Sequence, residues 1–135
     1  MAGSVKDLAL YRFECAEEDL VAAKELLELN KYKQSLNRSY YAIFHAMRSV
    51  NALDEFDSRK HSGVIAHFNQ FHVKSGEFPR EMSRIIRMAS DMRESADYED
   101  FFIASKQEAQ EQIQNAELFL KTVKEYLQKQ KILEN

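Results

Sequence analysis

In 135 residues the chain has one cysteine, one proline, three glycines and no tryptophan. A lone Cys15 excludes an internal disulfide and any zinc site built on paired thiolates. It fits a reducing cytoplasm. So few helix breakers exclude a turn-rich β architecture and point to long helices joined by short turns. Excess positive charge is also missing. The 19 Lys and Arg fall short of the 22 Asp and Glu, giving a net charge of −3. That balance excludes a uniformly basic nucleic-acid binder but leaves room for a local basic patch. No apolar run approaches the roughly 20 residues that span a bilayer, and the opening "MAGSVKDLAL" lacks the pattern of a secretion signal. There is no Gly-rich phosphate loop, metalloprotease spacing or Ser–His–Asp context.

What is present is helical periodicity. The spacing predicts a first helix over about Val5–Leu29, with Ser4 and Asp7 as a capping box and Leu8, Tyr11, Cys15, Ala22 and Leu26 as its apolar stripe, beside Ala16, Leu20, Ala23 and Leu27. A second helix, about Tyr32–Leu53, buries Leu36, Tyr40, Ile43, Phe44, Met47 and Val50. A third, about Arg59–His72, is capped by Asp57 or Ser58 and buries Val64, Ile65, Phe68 and Phe71. Pro79 opens a fourth, about Arg80–Ala96, burying Met82, Ile85, Ile86, Ala89 and Met92. Ser105 and Glu108 form a capping box for the last helix, which runs to about Lys131. Its seam of Ala109, Ile113, Ala116, Leu120, Val123 and Leu127 is spaced four and three alternately, as in helix-on-helix packing. With no repeat or linker, residues 1–135 are expected to form one domain. The predicted fold is an all-α, up-and-down bundle of four to five helices.

Several polar residues sit where such a bundle has little use for them. Arg38, Tyr41, His45 and Arg48 follow one another at intervals of three, four and three, so they line one face of the second helix beside its buried stripe. Arginine clamps phosphate, and guanidinium planes and Tyr or His rings stack on bases. The row therefore fits a nucleotide or RNA, or else a boundary face whose arginines snorkel over apolar rings. Arg93 follows Ile86 by seven and Ala89 by four, so it faces the core side and calls for a carboxylate, with Asp91 and Asp97 near it in sequence, or for a ligand. Arg80, Arg84 and Arg87 occupy the opposite, solvated face, with Asp91 and Glu94 as partners for the latter two. Of the four histidines, His61 and His67 are six apart and fall on different helical faces, and no Glu-x-x-His pair appears. Helical spacing thus yields no metal site, and no cofactor is called for.

Three segments together, "NRSYYAIFHAMRSV", "KHSGVIAHF" and "FPREMSRIIRMASDMRESADYEDFF", resemble the stand-alone branch of the HEPN (higher eukaryotes and prokaryotes nucleotide-binding) domains in order and rough spacing. The resemblance spans nearly the whole chain. It implies a four- or five-helix bundle that dimerises and is paired with a minimal nucleotidyltransferase in a toxin–antitoxin or defence-type system. Many such domains are metal-independent ribonucleases whose signature is an arginine followed four to six residues later by a histidine. Here Arg93 matches the arginine, but Asp97 or Tyr98 stands at the histidine position and no histidine follows Arg93. Aspartate is normally ionised and tyrosine normally protonated at neutral pH, so neither shuttles protons as histidine does. Arg38 and His45 satisfy the pattern by count, but on the second helix.

The expectation is a polar cleft of Arg38, Tyr41, His45, Arg48, His61, Arg93, Asp97 and Tyr98 that binds nucleotide or RNA, with Tyr98 also a target for nucleotide transfer by the partner. The alternative is a metal-independent endoribonuclease with His45 as acid or base and Arg93 stabilising the transition state. A third possibility is a purely structural module working through its last helix.

Overall fold

A computed structural model describes residues 4–134. Helices α1 (Val5–Glu28), α2 (Tyr32–Ala52), α3 (His61–Phe68), α4 (Glu81–Tyr98) and α5 (Lys106–Lys129) form an all-α bundle, with no strand among the described residues. A π-helical turn, Asn69–Val73, continues α3. No helix among them is long and apolar enough to cross a membrane.

The predicted starts of α1, α2 and α5 hold, those of α1 and α5 with a side-chain cap. Ser105 Oγ accepts from Glu108 N at 3.0 Å while Glu108 Oε1 accepts from Ser105 N at 2.9 Å, so both arms of the α5 box form. At α1 one arm is present, Asp7 N donating to Ser4 Oγ at 3.0 Å. Neither Asp57 nor Ser58 caps α3. Its N-cap is Lys60, with no side-chain cap, and Ser58 Oγ instead accepts from Lys60 N. Asn30 ends α1 in the left-handed region, φ 61°, which asparagine tolerates better than most residues.

Helix α2 is the axis of the bundle, packed by α1, α5, α4 and α3. Its expected stripe is buried, and so is a second seam of small residues, Ser35, Ser39, Ala42, Ala46 and Ser49. That seam meets α1, where Ser35 Oγ donates to the Ala23 carbonyl at 2.8 Å. Small residues on both helices permit close packing, and this sets the face of α1. Its buried residues are Ala9, Arg12, Phe13, Ala16 and Ala23. Leu8 and Tyr11, expected in the core, are 40% and 64% exposed. From Ser39 to Ala52 only Tyr41, His45 and Arg48 escape full burial. The polar row is thus the one stripe through which this stretch of α2 reaches the surface.

The α5 seam is buried at all six expected positions, and so are the first four of α4, with Met92 partly so. The third helix departs from expectation. Its α-helical hydrogen bonding stops at Phe68, and the π turn rotates Phe71 out to 52% exposure while His72 and Val73 turn inward. A π turn bonds i to i+5, so residues five apart, which an α-helix separates by about 140°, come onto nearly one face.

Candidate nucleotide-binding cleft

Tyr41 is the hub of the polar row. The Arg38 guanidinium lies 4.9 Å from its ring centroid and that of Arg93, from α4, 5.9 Å. The His45 and His61 rings are 6.0 and 5.8 Å away. Three helices thus deliver Arg38, Tyr41, His45, His61 and Arg93 to one place. His61, the first residue of α3, stacks on Phe44 at 4.1 Å, and Phe44 lies under the Arg48 guanidinium at 6.0 Å.

The cations differ in how firmly they are held. Charge-assisted N–H···O bonds are tight near 2.7–2.9 Å. Arg38 Nη1 donates to Asp19 Oδ1 at 3.0 Å and its Nη2 to Asn37 Oδ1 at 2.7 Å, a well-anchored arrangement. Buried Arg12 donates to Asp57 Oδ2 at 3.1 Å and to the Arg48 carbonyl at 3.2 Å. Arg48 reaches the same Asp57 only at 3.3 and 3.5 Å. Arg93 reaches Asp97 at 3.5 Å, and its buried Nε has no partner. Arg93 also rests on the Tyr40 ring at 4.6 Å. Of the arginines that contact the aromatic cluster, Arg48 and Arg93 are the loosely satisfied ones.

His45 lies 3.7 Å from Asp19 through Nε2, and its buried Nδ1 has no partner. Arg38 and His45, the pair that satisfies the arginine–histidine count, thus share one carboxylate. Burial holds the His45 pKa below its ordinary 6.5. Asp19 opposes that shift, while Arg48, Arg38 and Arg12 reinforce it. Burial also lowers His61, helped by Arg93 and Arg48. Tyr40 keeps its proton, its pKa pushed up to about 12 chiefly by burial against the opposing pull of Arg93. Its hydroxyl lies 2.8 Å from His61 Nδ1. With the phenol donating, His61 carries its own proton on Nε2.

His61, Arg48, Arg59, Phe44, Asp57 and Ser58 line an open cavity of about 430 Å³. The uncapped start of α3 lies there, and free N–H groups at a helix start favour an anion. Gly63 keeps this corner tight, because a Cβ there would come within 2.3 Å of Ser58 Oγ. A second cavity, about 470 Å³, opens beyond the other end of the row and is lined by Leu26, Lys33, Gln34, Asn37, Arg38 and Asp97. Asp97 joins the cleft's edge through Arg93 and Asn37. Tyr98 does not join it. It is 73% exposed and lines a separate shallow hollow with Asp91, Glu94, Ser95 and Glu99. Arg84 pairs with Glu81 at 3.3 Å rather than with the expected downstream carboxylates.

Arg12, Asp19, Asp57 and Arg59 were not read from the sequence as site residues, Asp57 being expected only as a cap and Arg59 only as a helix start. Arg12 carried a signal, since it lies three after Ala9 and four before Ala16 on the small-residue face of α1. Asp57 and Arg59 lie in a loop and had none.

Lowered histidine pKa values have a measurable consequence. Between the folded pKa and about 6.5 the unfolded chain holds protons at His45 and His61 that the native protein does not, so stability should fall as pH drops through that window. NMR titration of the imidazoles should give midpoints below 6.5 for both. A His45 midpoint above 6.5 would mean that Asp19, not burial and the arginines, dominates there.

A protein from Methanocaldococcus jannaschii named "Putative toxin" is 36% identical over 114 residues, 84% of each chain. A second protein of that organism with the same designation is 31% identical over 120 residues, 89% of this chain and 82% of its own. A Thermotoga maritima "UPF0332 protein" is 29% identical over 113 residues, 84% of this chain and 86% of its own. Residues 9–126 match the HEPN domain family, and the chain belongs to that family.

Proposed function

We propose that this protein binds RNA, or a nucleotide, in the cleft around Tyr41 and His61, with Arg48, Arg59 and Arg93 holding phosphate and the exposed edges of the aromatic cluster meeting a base. The observation that carries this reading is the incomplete satisfaction of Arg93, whose Nε is buried without a partner and whose carboxylate contact is long. A buried unpaired donor costs about 1–3 kcal/mol, and a swing of the Arg93 side chain outward to a phosphate oxygen would remove that cost. Overall negative charge is no obstacle, because Arg48 and Arg59 line one cavity with His61 at the start of α3.

The names of the relatives support a toxin-like role. The accompanying proposal is that the protein works as a homodimer in a toxin–antitoxin or defence-type pair, with a nucleotidyltransferase-type partner. Tyr98 is exposed enough to accept a transferred nucleotide.

One observation favours a second reading, metal-independent RNA cleavage. A neutral imidazole, His61, lines the cavity beside Arg48 and Arg59. In that reaction the RNA 2′-hydroxyl gives its proton to the base and attacks the adjacent phosphorus, the bond to the 5′-oxygen breaks, that oxygen takes up a proton from the protonated base through water, and a 2′,3′-cyclic phosphate and a 5′-hydroxyl remain. His61 acts as base in the tautomer whose Nδ1–H donates to the Tyr40 oxygen, which frees the Nε2 lone pair, whereas the nitrogens of His45 face Asp19 and a buried gap.

Incubating the purified protein with labelled single-stranded RNA in excess chelator separates these readings. Binding with intact RNA is expected from the first. Cleavage abolished by His61→Ala would establish the second. Neither binding nor cleavage would defeat both.

A further inference from the structure

On the side of α3 that carries the π turn, away from the Tyr41 cluster, three groups converge. Asp54 Oδ2, in the turn after α2, lies 2.8 Å from His67 Nε2 and 2.6 Å from His72 Nε2. One donor atom from each of the three falls within 4.8 Å of the others. The π turn creates the pairing, since five residues of α-helix would turn His67 and His72 away from each other. His67 is pinned by stacking on Phe56 at 3.9 Å, and His72 is buried against Phe68, Phe78 and Tyr126.

The hydrogen-bond inventory at His72 points to a ligand. Its Nε2 faces Asp54, and its Nδ1 lies 2.5 Å from Glu77 Oε1. A neutral imidazole has a single N–H, so it can donate to only one of two carboxylates. Without a second proton, a lone pair would face a carboxylate oxygen inside a buried site. A second proton on the ring removes the conflict, and so does a metal cation on the Asp54 side. Nε2 then gives its lone pair to the ion, and Nδ1–H donates to Glu77. A carboxylate on the far nitrogen is the usual support of a metal-bound histidine.

We propose that Asp54, His67 and His72 form a binding site for a divalent first-row transition ion such as zinc, with Glu77 orienting His72. Two imidazoles and a carboxylate are a donor set that suits such ions. Ligands about 2.0–2.1 Å from a tetrahedral ion sit roughly 3.3 Å apart. Admitting one therefore asks Asp54 Oδ2 to draw back from the two imidazole nitrogens, now at 2.8 and 2.6 Å, by roughly half an ångström or slightly more, within the reach of the partly exposed Asp54 side chain. Three protein ligands leave a fourth position for water. The ion would clasp the end of α2 to the π turn, and His67→Ala or Asp54→Asn would undo the clasp without emptying the core.

The test uses full-length protein without a histidine tag, stripped with chelator and titrated with Zn²⁺ by calorimetry and with Co²⁺ by visible absorption. One ion per chain is expected, with Co²⁺ giving the d–d bands of a low-coordinate nitrogen–oxygen site. With metal at about a hundred times its Kd, the melting temperature should rise by roughly 5–10 °C. His67→Ala and Asp54→Asn, each checked for native helicity by circular dichroism, should each weaken binding at least tenfold and lose the bands. No binding to the folded wild-type protein would overturn the proposal. So would unchanged binding in both variants, which would put the ion elsewhere.

Discussion

Replacing Arg48 and Arg93 together by alanine is expected to lower the affinity for single-stranded RNA about a hundredfold while leaving the bundle folded. Each charge-assisted contact to phosphate is worth about 1.5–3 kcal/mol, and two of them exceed the roughly 2.8 kcal/mol that a hundredfold represents. The fold should survive because neither arginine anchors it. Asp57 keeps Arg12 at 3.1 Å when Arg48 is gone, and Asp97 keeps Asn37 when Arg93 is gone. Arg38→Ala is the contrasting variant. Arg38 is already satisfied by Asp19 and Asn37, so its loss should change affinity less than about threefold and act mainly on stability. The salt dependence supplies a second measure. Removing two phosphate contacts on a single strand should flatten the slope of log K against log salt by about 1.4. Fluorescence anisotropy across a salt series reads both quantities. Unchanged affinity in the double variant would reduce the row to a boundary face.

The sequence revealed most where burial depends on large apolar side chains at a regular spacing. The α2 and α5 stripes were legible for that reason, as was the Ser105–Glu108 box, which is local chemistry. Arg93 was legible because an arginine at core spacing conflicts with its surroundings, and it does lie on the Tyr40 ring. The row on α2 was legible as a face, but not as the only opening in the stretch from Ser39 to Ala52. That depends on Ser35, Ser39, Ala42, Ala46 and Ser49 being buried, and small residues weigh little in a hydrophobic pattern. The same effect misplaced the face of α1, where alanines and Arg12 pack inward and Leu8 and Tyr11 stay outside. The carboxylates that organise the cleft lie far from their partners in sequence. Asp19 is 19 residues from Arg38, and Asp57 is 45 from Arg12. The histidine pair was hidden by the assumption of α-helical spacing. A π turn leaves no signature in residue type, and once it is present His67 and His72 share a face and Phe71 loses its place in the core.

Phe68→Ala tests how far that turn depends on the packing beneath it. Phe68 is the last residue of α3 and is fully buried. Its ring lies 5.1 Å from Phe78, 5.7 Å from Phe119 and 5.7 Å from His72, so it joins the π turn to α5 and to the segment leading into α4. Removing it should destabilise the protein by about 3–5 kcal/mol, through lost transfer energy and a cavity that rigid neighbours fill poorly. Domains of this size have a total of about 5–15 kcal/mol, so the variant should fold but melt well below the wild type. Urea denaturation should show a lower midpoint with an unchanged slope, the mark of altered stability rather than altered compactness. Local opening should concentrate at the π turn, because it has lost the side chain that fixes its register, and amide exchange at residues 69–73 should speed up more than exchange in the α5 seam. A loss under about 1 kcal/mol would show that Phe78 and Phe119 close the gap. The π turn would then be set by the backbone and by the Asp54–His72–Glu77 contacts rather than by the aromatic core below it.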